Sequence, residues 1–190
     1  MRIGRVLYPV SALGPGLRLG LWVQGCNRNC EGCANPELQD LHKADIPDAI
    51  LIGMARAAIK DYNLQGITIS GGEPMLQADG LIRFLDGTKD LCDDVLVFSG
   101  YTLAELKAQN NTVINALLDR VSVLVDGPYV KSLNHGELLR GSENQCIHYL
   151  KPNIREQYEE YLHQNKRVMD NFISNNGVVA VGIHPKDIIW

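Results

Sequence analysis

Three cysteines, Cys26, Cys30 and Cys33, lie in the short segment GCNRNCEGC, separated by three and then two residues. That spacing lets one short loop wrap one metal centre. Soft thiolates select zinc or an iron-sulfur cluster. A structural zinc site wants four ligands, and of the nearby candidates Asn27, Asn29, Asn35 and His42 only the histidine is chemically good. Three thiolates on a four-iron cube would leave one iron open. An open iron is useful chemistry, because a substrate carrying both an amine and a carboxylate can chelate it. Spacing alone leaves three readings: an open cluster, zinc with a remote fourth ligand, and redox or structural thiols.

A second stretch, TISGGEP from Thr68 to Pro74, follows an apolar run directly. Gly71 and Gly72 lack the Cβ that would keep a ligand away from backbone N–H and C=O groups. The Glu73 carboxylate suits the orientation of an ammonium group or the closing of a local loop, and an isolated Glu before Pro is ordinarily a turn residue. Ser99, Gly100 and Tyr101 follow another apolar run, at the strand end where open α/β sheets bind ligands. Asp126 ends a third run in VDGP, where an Asp also caps turns. Arg18 in GPGLR and Arg140 in LRGSENQ sit in glycine-flanked stretches suited to gripping a carboxylate or a partner backbone. For Arg140 the reading is partner docking or a structural clasp. Trp22, Cys92 and Cys146 read most simply as buried packing, and the five histidines as surface or satisfied core residues.

These groups need a scaffold. Leu19 to Gln24 is short, apolar and glycine-bounded, a buried strand that delivers the thiols on a strand-end loop. Pro47 to Tyr62 predicts a helix, with Ile50, Met54, Ala57 and Ala58 on one face and Pro47 in the first turn. ITIS, VLVFS (Val95 to Ser99) and VSVLV (Val121 to Val125) are β-branched core strands, and Thr102 with Glu105 forms a capping box at the helix start between the last two. Alternating strand, glycine turn and helix favours parallel βα units. Residues 154–175 are polar and helix-like. Asn176-Gly177 then turns into the strand VVAVGI, expected to close one edge of the sheet.

With 190 residues and no linker, the chain fits a single domain, residues 1–190, with 151–190 a helix-strand extension packed on it. The net charge of -4 and scattered basic residues give no stripe for a phosphate backbone, so nucleic acid is excluded as a partner. No apolar run approaches the about 18 residues that a membrane span requires, and the first ten residues do not form a signal peptide. A cytoplasmic protein is expected, in which cysteines bind metal or catalyse before they form disulfides.

The CxxxCxxC loop together with GGEP resembles the radical S-adenosylmethionine (SAM) superfamily. Reading outward, GPGLR, WVQGCNRNCEGCANPE, FSGYT, VDGPYV and LRGSENQ occur in an order similar to that of the activating proteins of anaerobic ribonucleoside-triphosphate reductases, over roughly residues 4 to 150. The flanks of Cys33 depart from that pattern, being Gly32 and Ala34 where an aromatic is common. The resemblance implies an incomplete parallel α/β barrel of the radical SAM type, with a 4Fe-4S cluster on Cys26, Cys30 and Cys33 and SAM as second cofactor. It carries SAM contacts onto Gly71, Gly72, Glu73 and Pro74 and places Asp126 near the SAM as a cation ligand, while the strand-end position of Ser99, Gly100 and Tyr101 makes them further SAM contacts. The implied activity is reductive cleavage of SAM, whose 5'-deoxyadenosyl radical takes hydrogen from a glycine of a partner reductase. A reduced flavodoxin-like or ferredoxin-like protein is the implied electron donor. The alternatives are a radical SAM enzyme for another glycyl-radical enzyme or a small molecule, and a zinc-binding structural module.

Overall fold

The computed structural model describes residues 1–42, 44–163, 167–174 and 177–184. Its centre is a six-stranded sheet in simple order: β1 (Ile3–Val10), β2 (Arg18–Val23), β3 (Gly66–Gly71), β4 (Val95–Ser99), β5 (Val123–Asp126) and β6 (Cys146–Tyr149). Strands β2 to β5 run parallel, while the edge strands β1 and β6 pair antiparallel with their neighbours. The sheet is therefore mixed and mostly parallel, in a mixed α/β chain. Helices α1 (Asp48–Asp61), α2 (Ala78–Asp86), α3 (Leu103–Ala108) and α4 (Thr112–Leu118) lie in the connections between the parallel strands.

Strand residues alternate between two faces, so each strand can feed two cores. Leu19, Leu21 and Val23 of β2, Val95 and Val97 of β4 and Leu124 of β5 share a core with Leu51, Phe84 and Leu117 of the helices. The intervening residues Leu96, Val123 and Val125 pack instead with Leu139 and Tyr158, and Trp22 packs with Val10, Leu38 and Val181. Both faces are thus covered, which is why the strands read as continuous apolar runs. The capping box forms at α3 as its sequence requires, with Thr102 Oγ1 accepting from the Glu105 N–H at 3.1 Å.

Four expectations are corrected. The buried face of α1 is Leu51, Ala55, Ala58 and Ile59, while Ile50 is 55% and Met54 53% exposed. Two apolar stripes run side by side on this helix, and the one displaced by a residue meets the sheet. Among the described residues, the polar stretch 154–175 is α-helix only over α5 (Arg155–His163), whereas β7 (Asp170–Ser174) is a strand. It pairs antiparallel with β8 (Gly177–Val181) as a separate hairpin that closes no edge of the main sheet. Tertiary contacts decide this. Asp170 accepts hydrogen bonds from the Ser11 and Ala12 N–H groups, at 2.7 and 2.9 Å, and Phe172 packs against the Trp22 cluster. Asn176 of the expected turn lies outside the described residues. Cys146 is exposed rather than packed, because it opens an edge strand, while Cys92 is buried.

Candidate functional site

The cysteine loop leaves the C-terminal end of β2 and closes on itself. Gly25 N–H donates to Leu38 O at 2.7 Å and Cys26 N–H to Gln39 O at 3.2 Å, while the Gln24 amide donates to Glu37 O and Asp40 O, both at 3.1 Å. Two sulfurs already accept backbone N–H groups at 3.4 Å, Cys26 from Arg28 and Cys33 from Asn35. Burial pushes the Cys26 thiol up, partly offset by the Arg28 and Asn29 N–H groups. A bound cation would reverse this, since a coordinating thiol is deprotonated outright.

Parallel register puts the second motif beside this loop, because Trp22 lies opposite Ser70 and Val23 opposite Gly71. The approach is close enough that only glycine fits. A Cβ on Gly71, whose φ is +111°, would stand 2.4 Å from Val23 O, and one on Gly72 would stand 2.1 Å from Gly25 O. The N–H groups of Gly72 and Glu73 are engaged in this junction, donating to Val23 O and Gly25 O at 2.8 Å each. Of the glycine pair expected to bare its N–H groups to a ligand, Gly72 is corrected: its N–H is taken, and the glycines let the two strand ends meet.

Glu73 is the pin of the arrangement. It is 1% exposed. Its Oε1 accepts from Met75 N–H at 3.0 Å and Ser99 Oγ at 2.9 Å, and its Oε2 from Gly100 N–H at 2.8 Å. Burial pushes its carboxyl up, opposed by these donors and by the charge of Arg28. The carboxylate therefore ties the end of β3 to the end of β4.

The three thiols share one cavity of about 340 Å³ with Gly71, Gly72, Glu73, Ser99 and Gly100. This volume falls within the range of small-molecule sites. Pro74, Tyr101 and Asp126 stand behind the lining. Pro74 is buried and opens a short turn. The Tyr101 hydroxyl accepts from Asn27 Nδ2 at 2.8 Å, and the Arg28 guanidinium lies 4.5 Å over its ring, so Tyr101 clamps the cysteine loop. The Asp126 carboxylate accepts from the Leu103 N–H at the start of α3 and meets His148 Nε2 at 2.8 Å, while Gly127 lines the cavity.

The opposite wall was largely invisible in the sequence: Tyr129, Lys131 and Gln145 after β5, and Gly182, Ile183 and His184 after β8. Gln145 knots this side together, its Oε1 accepting from Gly141 N–H at 2.7 Å and its Nε2 donating to Gly127 O at 2.8 Å. Proximity to VDGP and membership of LRGSENQ were available signals for the first three residues. None existed for the last three, and His184, read as a surface or satisfied core residue, lines the cavity.

Arg140 clasps its own loop through Glu143 O and Gln145 O, both at 3.3 Å. Arg18 grips Asp94 of the same chain, far from the thiols.

The residues fit an iron-sulfur cluster: three thiols on one wall, two with sulfur-directed N–H donors, facing a cavity large enough for a chelating cofactor. Among the described residues, no group of three or more His, Cys, Asp and Glu side chains is placed to hold a single metal ion. His42 is exposed and lies outside the cavity lining.

Comparison with known proteins follows the same lines. The 4Fe-4S single cluster domain family matches residues 12–148. The anaerobic ribonucleoside-triphosphate reductase-activating protein of Escherichia coli (strain K12) is 35% identical over 156 residues, covering 76% of this chain and 96% of the relative. The protein of that name from Vibrio cholerae serotype O1 is 34% identical over 152 residues, covering 74% and 94%. A pyruvate formate-lyase-activating enzyme from Listeria monocytogenes is 35% identical over 74 residues, covering 37% of this chain and 30% of that enzyme.

Proposed function

The chain belongs to the family of anaerobic ribonucleoside-triphosphate reductase-activating proteins and carries their 4Fe-4S single cluster domain, and from that membership we propose that it is a glycyl-radical enzyme activase. The observation that carries the proposal is the shared cavity, where Cys26, Cys30 and Cys33 face Gly71, Gly72, Glu73, Ser99 and Gly100. A reduced 4Fe-4S cluster held by Cys26, Cys30 and Cys33 would supply the one electron for reductive cleavage of SAM to methionine and a 5'-deoxyadenosyl radical able to take a hydrogen atom from a glycine Cα.

Every other part belongs to the chain. The three thiolates anchor the cluster, and Arg28 N–H and Asn35 N–H orient two of their sulfurs. Gly71 and Gly72 permit the strand ends to meet beside it, and Glu73 locks Ser99 and Gly100 into the cofactor wall. Pro74, Tyr101 and Asp126 act from behind: Pro74 starts the turn after Glu73, Tyr101 holds the cysteine loop, and Asp126 holds the start of α3.

The sheet reads as a partial α/β barrel, supported by four consecutive parallel strands with helical connections. We read residues 1–190 as one domain with 151–190 a helix-strand extension packed on it, a reading supported by Tyr158 and Val181, which pack against strand residues of the main sheet. The partner is the glycyl-radical subunit of an anaerobic ribonucleoside-triphosphate reductase, and the electron donor a reduced flavodoxin-like or ferredoxin-like protein. A reducing, cytoplasmic setting suits three free thiols. No helix among the described residues is long and apolar enough to cross a membrane.

The test is anaerobic reconstitution with iron and sulfide, reduction with SAM present, and chromatography for 5'-deoxyadenosine, comparing wild type with Cys30→Ala. Addition of the purified reductase subunit should yield a glycyl radical by electron paramagnetic resonance. Deoxyadenosine without any radical on that subunit, but with one on a pyruvate formate-lyase, would move the assignment to the second type of partner that the shorter match names.

A further inference from the structure

The β7–β8 hairpin lies beyond the segment matched by the cluster-domain family, which ends at residue 148. The residues that follow it directly, Gly182, Ile183 and His184, nevertheless build part of the cavity wall. Alternation gives the hairpin two faces. On the inner face, Phe172, Val179 and Val181 join the Trp22 cluster, and Asp170 ties the strand to Ser11 and Ala12. Beyond β8, the His184 carbonyl accepts from Asn134 Nδ2 at 2.9 Å, and Arg167 holds Asn134 Oδ1 at 2.9 Å. The hairpin is thus anchored at both ends.

Its outer face is different. Ile173 and Val178 are a directly paired cross-strand couple, and they are 86% and 60% exposed. Among the described residues β7 and β8 each pair only with the other, so each has an outer edge without a strand partner. An apolar couple beside open edges is what strand-addition recognition uses, with main-chain hydrogen bonds giving affinity and side-chain contacts giving selectivity. From Val178 the chain runs through Val181 into Gly182, Ile183 and His184 on the cavity wall. Val178 to Val181 is about 10 Å of extended backbone, and the cavity-lining residues follow it directly. A partner segment lying along it reaches the thiol cavity within a handful of residues.

We propose that the outer face and open edge of the β7–β8 hairpin, marked by Ile173 and Val178 and continuous with the cavity wall at Gly182 to His184, form the docking surface for the glycine-bearing segment of the partner reductase. This rests on the activase reading, which requires a backbone Cα to enter the cavity. A strand-like dock suits that task, because it grips main chain and leaves a glycine bare.

The experiment compares the reconstituted wild type with the double variant Ile173→Ser, Val178→Ser. Affinity for the purified glycyl-radical subunit is measured by anaerobic biolayer interferometry, and deoxyadenosine formation without that subunit is measured in parallel. Both side chains are exposed and outside the cofactor cavity, so deoxyadenosine formation should be unchanged while the Kd rises at least tenfold. A Kd within twofold of wild type overturns the docking surface, as does a wild type that does not bind the subunit. Failure of wild type to make deoxyadenosine counts against the activase reading instead, since the affinity comparison is read from binding alone.

Discussion

Two carboxylates are buried at opposite ends of the parallel strands, and they are held in opposite ways. Asp94, just before β4, meets a full cation: Arg18 Nη1 donates to its Oδ2 at 2.6 Å, and the Tyr158 hydroxyl donates to its Oδ1 at 2.9 Å. Arg18 is itself fully buried and also donates to Thr68 Oγ1, Pro15 O and Ile67 O. Glu73, at the other end, is held by two N–H groups and a hydroxyl. A charge pair with every donor used makes a rigid clasp, and removing one partner strands the other. Neutral donors hold a carboxylate in place without cancelling its charge. The first end fastens the fold, and the second keeps an ordered wall beside the thiols.

The largest expected effect separates the two ends by function. Cys30→Ala should abolish deoxyadenosine formation and remove the cluster absorbance, with little change in the unfolding midpoint of the apoprotein, because the Cys30 side chain is only half-buried. A variant that keeps activity would break the assignment of the thiol end. Arg18→Ala should do the reverse, destabilising the chain by about 3–5 kcal/mol in urea unfolding because it leaves a buried, unpaired Asp94, while activity per folded molecule persists. A loss under 1 kcal/mol would show that the clasp is not the fastening.

Glu73→Gln sharpens the other side of the comparison. The amide replaces an acceptor with a donor facing N–H or O–H groups, at a cost of about 1–3 kcal/mol, and deoxyadenosine formation should fall with it. Its pH behaviour is also distinctive. Burial pushes Glu73 upward, so the folded chain binds this proton more tightly than the unfolded chain. The resulting stability is present below the ordinary glutamate range and is lost as the pH rises through the folded value. Unfolding of wild type and Glu73→Gln across mildly acidic pH should show that slope only in wild type. The smallest effect belongs to Tyr158→Phe, which removes one donor from Asp94 and leaves the arginine in place. A loss of about 1 kcal/mol is expected by thermal or urea unfolding.

Much of the site was legible because its signals are local. The three thiols, the glycine pair with Glu73, and the Ser99-Gly100 turn each sit in a few consecutive residues after an apolar strand, and the cavity gathers them all. Strands β2 to β5 were legible for the same reason, since β-branched runs bounded by glycine need no distant information. The face of α1 was misread because Ile50 and Met54 are as periodic as Leu51 and Ala55, and only the sheet decides which stripe it covers. The tail was misread because a polar sequence gives no helical or strand period strong enough to override contacts made elsewhere.

By itself, then, the amino-acid sequence determined which residues can bind iron, since that follows from side-chain chemistry and local spacing. Only the tertiary structure decided that Arg18 and Asp94, 76 positions apart, form one clasp, that the Gly72 and Glu73 N–H groups fasten the cysteine loop, and that the hairpin beyond residue 170 completes the cavity. Those outcomes depend on strand register and on which surfaces remain uncovered once the sheet has formed, and neither quantity is written at any one position of the chain.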